Sequence, residues 1–179
     1  TLVGKNIVLV QSGIGKVMSA LATGILIDRF GVDLVMNTGS AGGFGTTLEI
    51  GDIVIGTELA YCDADVTAFN YAYGQMPGMP ARFAMNRDFL PSIEQAIAKV
   101  DLKSHTGLIV SSDSFIHTRE QRTHILKHFP DVMASEMEGA AIAQACHAFG
   151  VPFIVIRAIS DIPERGTSAV DFDTFIVQA

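Results

Sequence analysis

A chain of 179 residues is long enough for one hydrophobic core and short for two. Its 12 basic and 19 acidic side chains give a net charge of -7, with only 17% charged residues; this excludes a phosphate-binding basic face and leaves a small molecule as the expected partner, not nucleic acid. At 49% hydrophobic the chain is too apolar for disorder, yet no apolar run approaches the roughly 18–20 residues of a membrane helix.

Ile7 to Val10 reads as a short buried strand, broken by Gln11-Ser12-Gly13-Ile14-Gly15. Val17, Ala20, Leu21, Gly24, Ile25 and Ile27 then recur at helical spacing as far as Gly31, a good C-terminal glycine. Asp33 to Met36 is a second strand, followed by the glycine-rich loop Asn37-Thr38-Gly39-Ser40-Ala41-Gly42-Gly43, so the segment forms a βαβ unit. Gly51 to Ala60 is the next strand. It leads through Cys62-Asp63-Ala64-Asp65-Val66-Thr67 into a long loop carrying Phe69, Tyr71, Tyr73, Pro77 and Pro80, of a length that points to function or an interface.

Asp88 to Val100 reads as an amphipathic helix and Thr106 to Val110 as a strand ending in Ser111-Ser112-Asp113-Ser114-Phe115-Ile116-His117. Thr118 caps a helix through His128. Met133 to Ser135 is a short strand, Met137 to Phe149 an alanine-rich helix closed by Gly150, and Phe153 to Ile159 a strand ending at Ser160-Asp161. No repeat, linker or low-complexity tract marks a second domain. The fold class is α/β.

Cys62 and Cys146 are far apart, without CxxC spacing, and no signal peptide opens the chain, so a cytoplasmic location is expected. The chain starts at Thr1 and stops within the apolar stretch Phe175-Ile176-Val177, which reads as the beginning of an element; a fragment of a larger chain is expected.

In an open α/β sheet, ligands sit beyond the carboxyl ends of the strands, where four polar clusters fall: Ser12 to Gly15, Thr38 to Gly43, Ser135 to Glu138 and Arg157 to Asp161. Gly13-Ile14-Gly15 is not a dinucleotide fingerprint, because Met18 stands where the third glycine is required, and no P-loop pattern occurs. The Gly39 to Gly43 run fits a tight turn needing positive φ or a close backbone approach to a ligand. Glu136 and Glu138 fit solvated acids at a helix start or a working pair. Arg157 and Asp161 fit a mutual salt bridge or a functional pair, since an arginine within so apolar a strand demands a partner. His124 and His128 have the i, i+4 spacing of a metal pair without the glutamate of HExxH, and no metal or cofactor is expected.

Taken together, Ser12-Gly13-Ile14-Gly15-Lys16-Val17, Asn37 to Gly43, Asp63-Ala64-Asp65-Val66-Thr67-Ala68-Phe69, Glu136-Met137-Glu138 and Arg157-Ala158-Ile159-Ser160-Asp161 resemble the bacterial 5'-methylthioadenosine/S-adenosylhomocysteine nucleosidases, over nearly the whole chain. That family lies in the nucleoside phosphorylase superfamily, so the resemblance implies a three-layer α/β/α fold around a twisted mixed sheet. It also implies a single domain over 1–179 that lacks the first strands and the end of the C-terminal helix.

The implied reaction is hydrolysis of the N-glycosidic bond of 5'-methylthioadenosine, S-adenosylhomocysteine and 5'-deoxyadenosine, in methionine salvage and methyl-cycle recycling. Purine nucleoside phosphorylase, futalosine or AMP nucleosidase, and a catalytically impaired nucleoside binder are the alternatives. The resemblance implies Asp161 as proton donor to adenine N7, and Arg157 and Ser40 as groups holding the attacking water. Glu138 would accept hydrogen bonds from the ribose hydroxyls, Met137 would lie against the sugar, and Gly42 and Ser160 would stand beside the nucleoside. Phe115 would stack on the adenine and Ile116 meet its edge through the backbone, while Ile14, Val66 and Phe172 would contact the sugar and its 5' substituent. Phe69 and Pro77 would reach a neighbouring subunit's site, implying a homodimer. The family's water-activating glutamate has no match here, since neither Glu49 nor Glu58 occupies its place. Asn37 stands where phosphorolytic relatives carry a phosphate-binding arginine, which favours water as nucleophile.

Overall fold

The computed structural model describes residues 4–163 and 168–178, with side chains in the last helix through Phe175. The described elements are α1 (Lys16–Phe30), β1 (Val35–Gly43), β2 (Ile53–Tyr61), β3 (Phe83–Ala84), α2 (Leu90–Ala98), β4 (Ser104–Ser111), α3 (Arg119–His128), β5 (Val132–Glu136), α4 (Gly139–Phe149), β6 (Phe153–Asp161) and α5 (Ser168–Gln178). The strands form one mixed sheet in the order β3-β2-β4-β5-β1-β6. β1 runs parallel to β6, and β2, β4 and β5 run parallel to one another. The two sets meet antiparallel at β1 with β5 and again at β2 with β6, so the twist brings the sheet round into a ring of five strands.

The apolar strand residues fill the interior: Val54, Ile55, Leu59, Ile109, Val155 and Ile159 are all fully buried. Each such side chain withdrawn from water contributes about 1.5–3 kcal/mol. Helix α4 can lie close on this core because its buried face is Gly139, Ala140, Ala141 and Ala143 with Ile142 and Cys146. It ends at Gly150, whose φ of 69° is the left-handed turn expected of that glycine.

Three expectations change. Ile7 to Val10 joins no strand ladder among the described residues, and Leu9 is 94% exposed. A β-branched apolar run records a tendency to be buried, but burial needs neighbouring strands that local sequence does not specify. The glycine-rich segment after Met36 is strand rather than loop: β1 continues through Gly43 in register with β6, from Asn37 opposite Val155 to Gly42 opposite Asp161. None of Gly39, Gly42 and Gly43 has positive φ, so no tight turn is made there; Gly39 and Gly43 serve close approach, by Arg157 and Ile159 respectively. Phe175-Ile176-Val177 lies in the last turns of α5, not at the start of an element.

Helix α1 forms where the periodicity places it, from Lys16 to the left-handed Gly31, but with its faces reversed. Ser19 and Thr23 are buried, whereas Val17, Leu21 and Ile25 lie 76%, 55% and 48% exposed. Ser19 turns inward because its hydroxyl donates to the carbonyl of Lys16, with the carbonyl of Glu138 at 3.5 Å; Thr23 donates to Ser19 O at 2.8 Å.

Candidate active site

The carboxyl ends of β1, β5 and β6 and the loop before α1 enclose a cleft of about 390 Å³. Ile14, Ser40, Gly42, Phe115, Met137, Glu138, Arg157, Ser160, Asp161 and Phe172 all line it, although they come from six separate stretches of chain. A small recess opens from it between Gly42, Phe115, Ile116, Met137 and Asp161.

Asp161 ends β6 and is 1% exposed. Its Oδ1 accepts from Ser160 Oγ at 2.8 Å, while Oδ2 has no hydrogen-bond partner among the described residues and faces the cleft wall at Gly42. Burial pushes its carboxyl above the usual range, against the opposing effect of the Ser168 and Ser160 hydroxyls. A Cβ at Gly42 would stand 3.4 Å from Asp161 Oδ2, at ordinary contact distance.

Arg157, in the middle of the same strand, is equally buried and does not pair with Asp161. Its Nη2 donates to Glu136 Oε2 and to Asn37 Oδ1, and lies 3.5 Å from Glu138 Oε2. Gly39 makes this geometry possible, because a Cβ there would collide with Arg157 Nη1. Glu138 is reached from the other side by the start of α1: Gly15 N–H donates to Glu138 Oε1 at 2.9 Å. Burial raises the Glu138 carboxyl, the Gly15 amide lowers it and the neighbouring Glu136 charge raises it further.

The Gly15 turn is held in place by charge. Lys16 N–H donates to Asp113 Oδ1 at 2.9 Å and Lys16 Nζ meets Asp63 Oδ2 at 2.7 Å, while Asp113 N–H donates to the same Asp63 oxygen at 3.0 Å. The helix start, the end of β4 and the loop after β2 are thereby tied together. On the opposite wall Phe115 makes an edge contact with Phe172, their centroids 5.8 Å apart, and stacks on His117. The Thr118–Gln121 capping box fixes this wall, since Gln121 Oε1 also accepts from His117 N–H.

Three sequence candidates lie apart from the cleft. Val66, expected beside Ile14 and Phe172, instead precedes the 3-10 turn Thr67–Phe69 and does not line the cavity. Phe69, 74% exposed, and Pro77, also exposed, lie on the same loop. Of the unmatched acids, Glu49 is exposed with its amide on Asp52, and Glu58 pairs with Arg82 at 3.0 Å, so neither enters the cleft. His124 bonds the Tyr73 hydroxyl at 2.9 Å and His128 stacks on the Tyr73 ring. No group of three or more His, Cys, Asp or Glu able to hold a metal occurs among the described residues. The sequence gives no sign of the parts played by Ser111 and the Gly15 amide, and it shows Glu136 only as half of an acidic pair and Gly39 only as part of a glycine run.

The Phosphorylase superfamily matches residues 1–179. Among individual relatives, the 5'-methylthioadenosine/S-adenosylhomocysteine nucleosidase of Anoxybacillus flavithermus is 52% identical over all of this chain and 77% of its own length. That of Shewanella putrefaciens is 51% identical over all of this chain and 78% of its own. Of solved structures, the Neisseria meningitidis nucleosidase in complex with methylthio-immucillin-A superimposes with a TM-score of 0.94 at 50% identity, over 98% of this chain and 76% of that one. The Colwellia psychrerythraea nucleosidase in complex with adenine gives 0.95 at 47% identity, over 100% and 74%. The chain belongs to the phosphorylase superfamily, and within it to the 5'-methylthioadenosine/S-adenosylhomocysteine nucleosidases.

Proposed function

We propose that this protein hydrolyses the N-glycosidic bond of 5'-methylthioadenosine and S-adenosylhomocysteine, and of 5'-deoxyadenosine, releasing adenine and the 5-substituted ribose for methionine salvage and methyl-cycle recycling. The observation that carries the reading is a buried Asp161, its Oδ2 unpartnered among the described residues, in the wall of a cleft of nucleoside size. Relatives at about half identity are named for this activity, and one was solved with adenine.

Adenine departs as an anion unless N7 is protonated, so a carboxyl that keeps its proton toward neutral pH serves as general acid, an effect of about 10²–10⁴ in rate. Burial shifts the Asp161 carboxyl upward, the direction this role requires. As the bond breaks, the ribosyl group becomes cationic. Glu138 accepts the ribose hydroxyls and its charge stabilises that cation; Met137 packs on the sugar and Gly42 and Ser160 flank the nucleoside. Arg157 and Ser40 hold the attacking water, Phe115 and Ile116 read the adenine, and Ile14 and Phe172 receive the 5' substituent.

Three carboxylates and one guanidinium line the cleft, a balance that suits an oxocarbenium ion and disfavours a phosphate dianion. Asn37 supports the same choice, because its oxygen is occupied by Arg157 and it brings no charge of its own. We read residues 1–179 as one nucleosidase domain acting as a cytoplasmic homodimer. The exposed apolar stripe of α1 and the outer loop bearing Val66, Phe69 and Pro77 support pairing, with that loop closing the 5' end of the partner's cleft. No described helix is long and apolar enough to cross a membrane.

The test is adenine release from methylthioadenosine by the full-length protein, with and without phosphate. Phosphate-independent release with free methylthioribose is expected; a sugar 1-phosphate formed only with phosphate would overturn hydrolysis.

A further inference from the structure

We propose that Glu136 is a positioning residue of this site: its carboxylate holds the Arg157 guanidinium away from Glu138 and fixes the backbone that presents Glu138, without itself binding the nucleoside. The inference rests on the hydrolytic reading above.

Glu136 ends β5 with its side chain 2% exposed. Its Oε2 accepts three donors: Gly139 N–H at 2.7 Å, Glu138 N–H at 3.0 Å and Arg157 Nη2. Its Oε1 accepts the Ser111 hydroxyl, whose oxygen in turn accepts Ala140 N–H at 2.8 Å. The first three amides around the start of α4 therefore all terminate on this one carboxylate, directly or through Ser111. Every donor points inward, so the group is an acceptor throughout and has little capacity left for a ligand.

The same contacts decide what Arg157 does. Its Nη2 sits between Glu136 and Asn37, with Glu138 Oε2 only 3.5 Å away. Remove the Glu136 charge and the nearest carboxylate for a buried guanidinium becomes Glu138, the one needed for the ribose. Arg157 would close on it, leave its place beside the water site and neutralise the charge that stabilises the cation. Glu136 thus keeps two catalytic groups of opposite charge close without letting them cancel each other.

The experiment compares full-length wild type with Glu136→Gln and Glu136→Asp, measuring kcat and KM on methylthioadenosine, adenine affinity by calorimetry, and thermal unfolding. Glutamine fills the same volume but puts an NH2 against inward-pointing donors. It is expected to lower kcat about 10- to 100-fold, the scale of a ~1 Å misplacement, with a smaller change in KM. Adenine affinity should fall by less than kcat, because Glu136 borders the recess with Phe115, Ile116 and Asp161 but spends its oxygens on protein donors, and aspartate should recover part of kcat by keeping the charge. A folded Glu136→Gln with kcat within twofold of wild type overturns the proposal, as does a loss of adenine affinity equal to the loss of kcat. If Glu136→Gln does not fold, Ser111→Ala takes its place: a several-fold lower kcat with adenine affinity kept supports the role, and an unchanged kcat overturns it. A wild-type protein that releases no adenine defeats the functional reading and this proposal together, whereas an active wild type with an unimpaired Glu136→Gln defeats the proposal alone.

Discussion

At Asp161, stability and chemistry pull in opposite directions. A carboxyl raised by burial binds its proton more tightly folded than unfolded. Between its ordinary value and its folded value the native state holds the extra proton, so stability falls as pH rises through that window and the deficit persists above it. Asp161→Asn removes the buried ionisable group. It is expected to lower kcat at least about 100-fold while leaving the unfolding temperature at pH 7 equal to or above wild type, read by adenine release and calorimetry. In the wild type, kcat should fall on the alkaline side as Asp161 loses its proton. Gly39 gives a second residue-scale prediction. Gly39→Ala drives a methyl into Arg157 Nη1, and that guanidinium is pinned by Glu136 and Asn37, so it cannot swing freely. A loss of about 1–3 kcal/mol in denaturant unfolding and at least about tenfold in kcat is expected. Ser40, Gly42, Glu138, Arg157 and Asp161 stand out in the sequence as members of the polar and glycine-rich clusters that follow or close the apolar strand runs. Glu136 was visible only as half of a pair, because its role depends on donors from Ser111 and Arg157, distant in sequence.

The elements were legible where a local stop signal coincides with periodicity. Gly31 and Gly150 close α1 and α4, and Thr118 with Gln121 opens α3, each by chemistry within four residues. Thr118→Ala removes the acceptor of Gln121 N–H at 3.2 Å and should lower stability by about 1 kcal/mol, or about 2–4 °C in unfolding temperature. Because Gln121 also holds the His117 amide beside Phe115, KM should rise slightly while kcat stays near wild type. Where distant partners decide, local sequence misleads. Residues 37–43 look like a loop by composition, yet pairing with β6 makes them strand, and glycine fits there because Arg157 occupies the space of a side chain on Gly39 and Ile159 crowds one on Gly43.

For the whole molecule, the apolar stripe of α1 lies exposed, and Phe69 and Val66 do not line their own chain's cleft. If two chains share these parts, Phe69→Ala and Asp161→Asn damage different subunits of one composite site. Each homodimer alone should be impaired, and co-expressed mixtures should regain activity through heterodimers carrying one intact site, while sedimentation should give twice the mass of a single chain. Activity in mixtures no greater than the average of the two variants would refute a shared site.

By itself the sequence determined the α/β class, both ends of α1, the capped start of α3 and the glycine stop of α4, the acidic and apolar balance that argues against nucleic acid, and the set of polar clusters that resembles one family. These follow from signals spanning a few residues or from composition, which need no partner to be read. The tertiary structure alone decided that β1 runs to Gly43, that α1 turns its apolar side outward, that Ile7 to Val10 stands exposed, and that Arg157 pairs with Glu136 instead of Asp161. Each of those outcomes depends on which distant group arrives beside a residue. Pairing, burial and charge compensation are properties of that neighbourhood, so they exist only once the chain has folded.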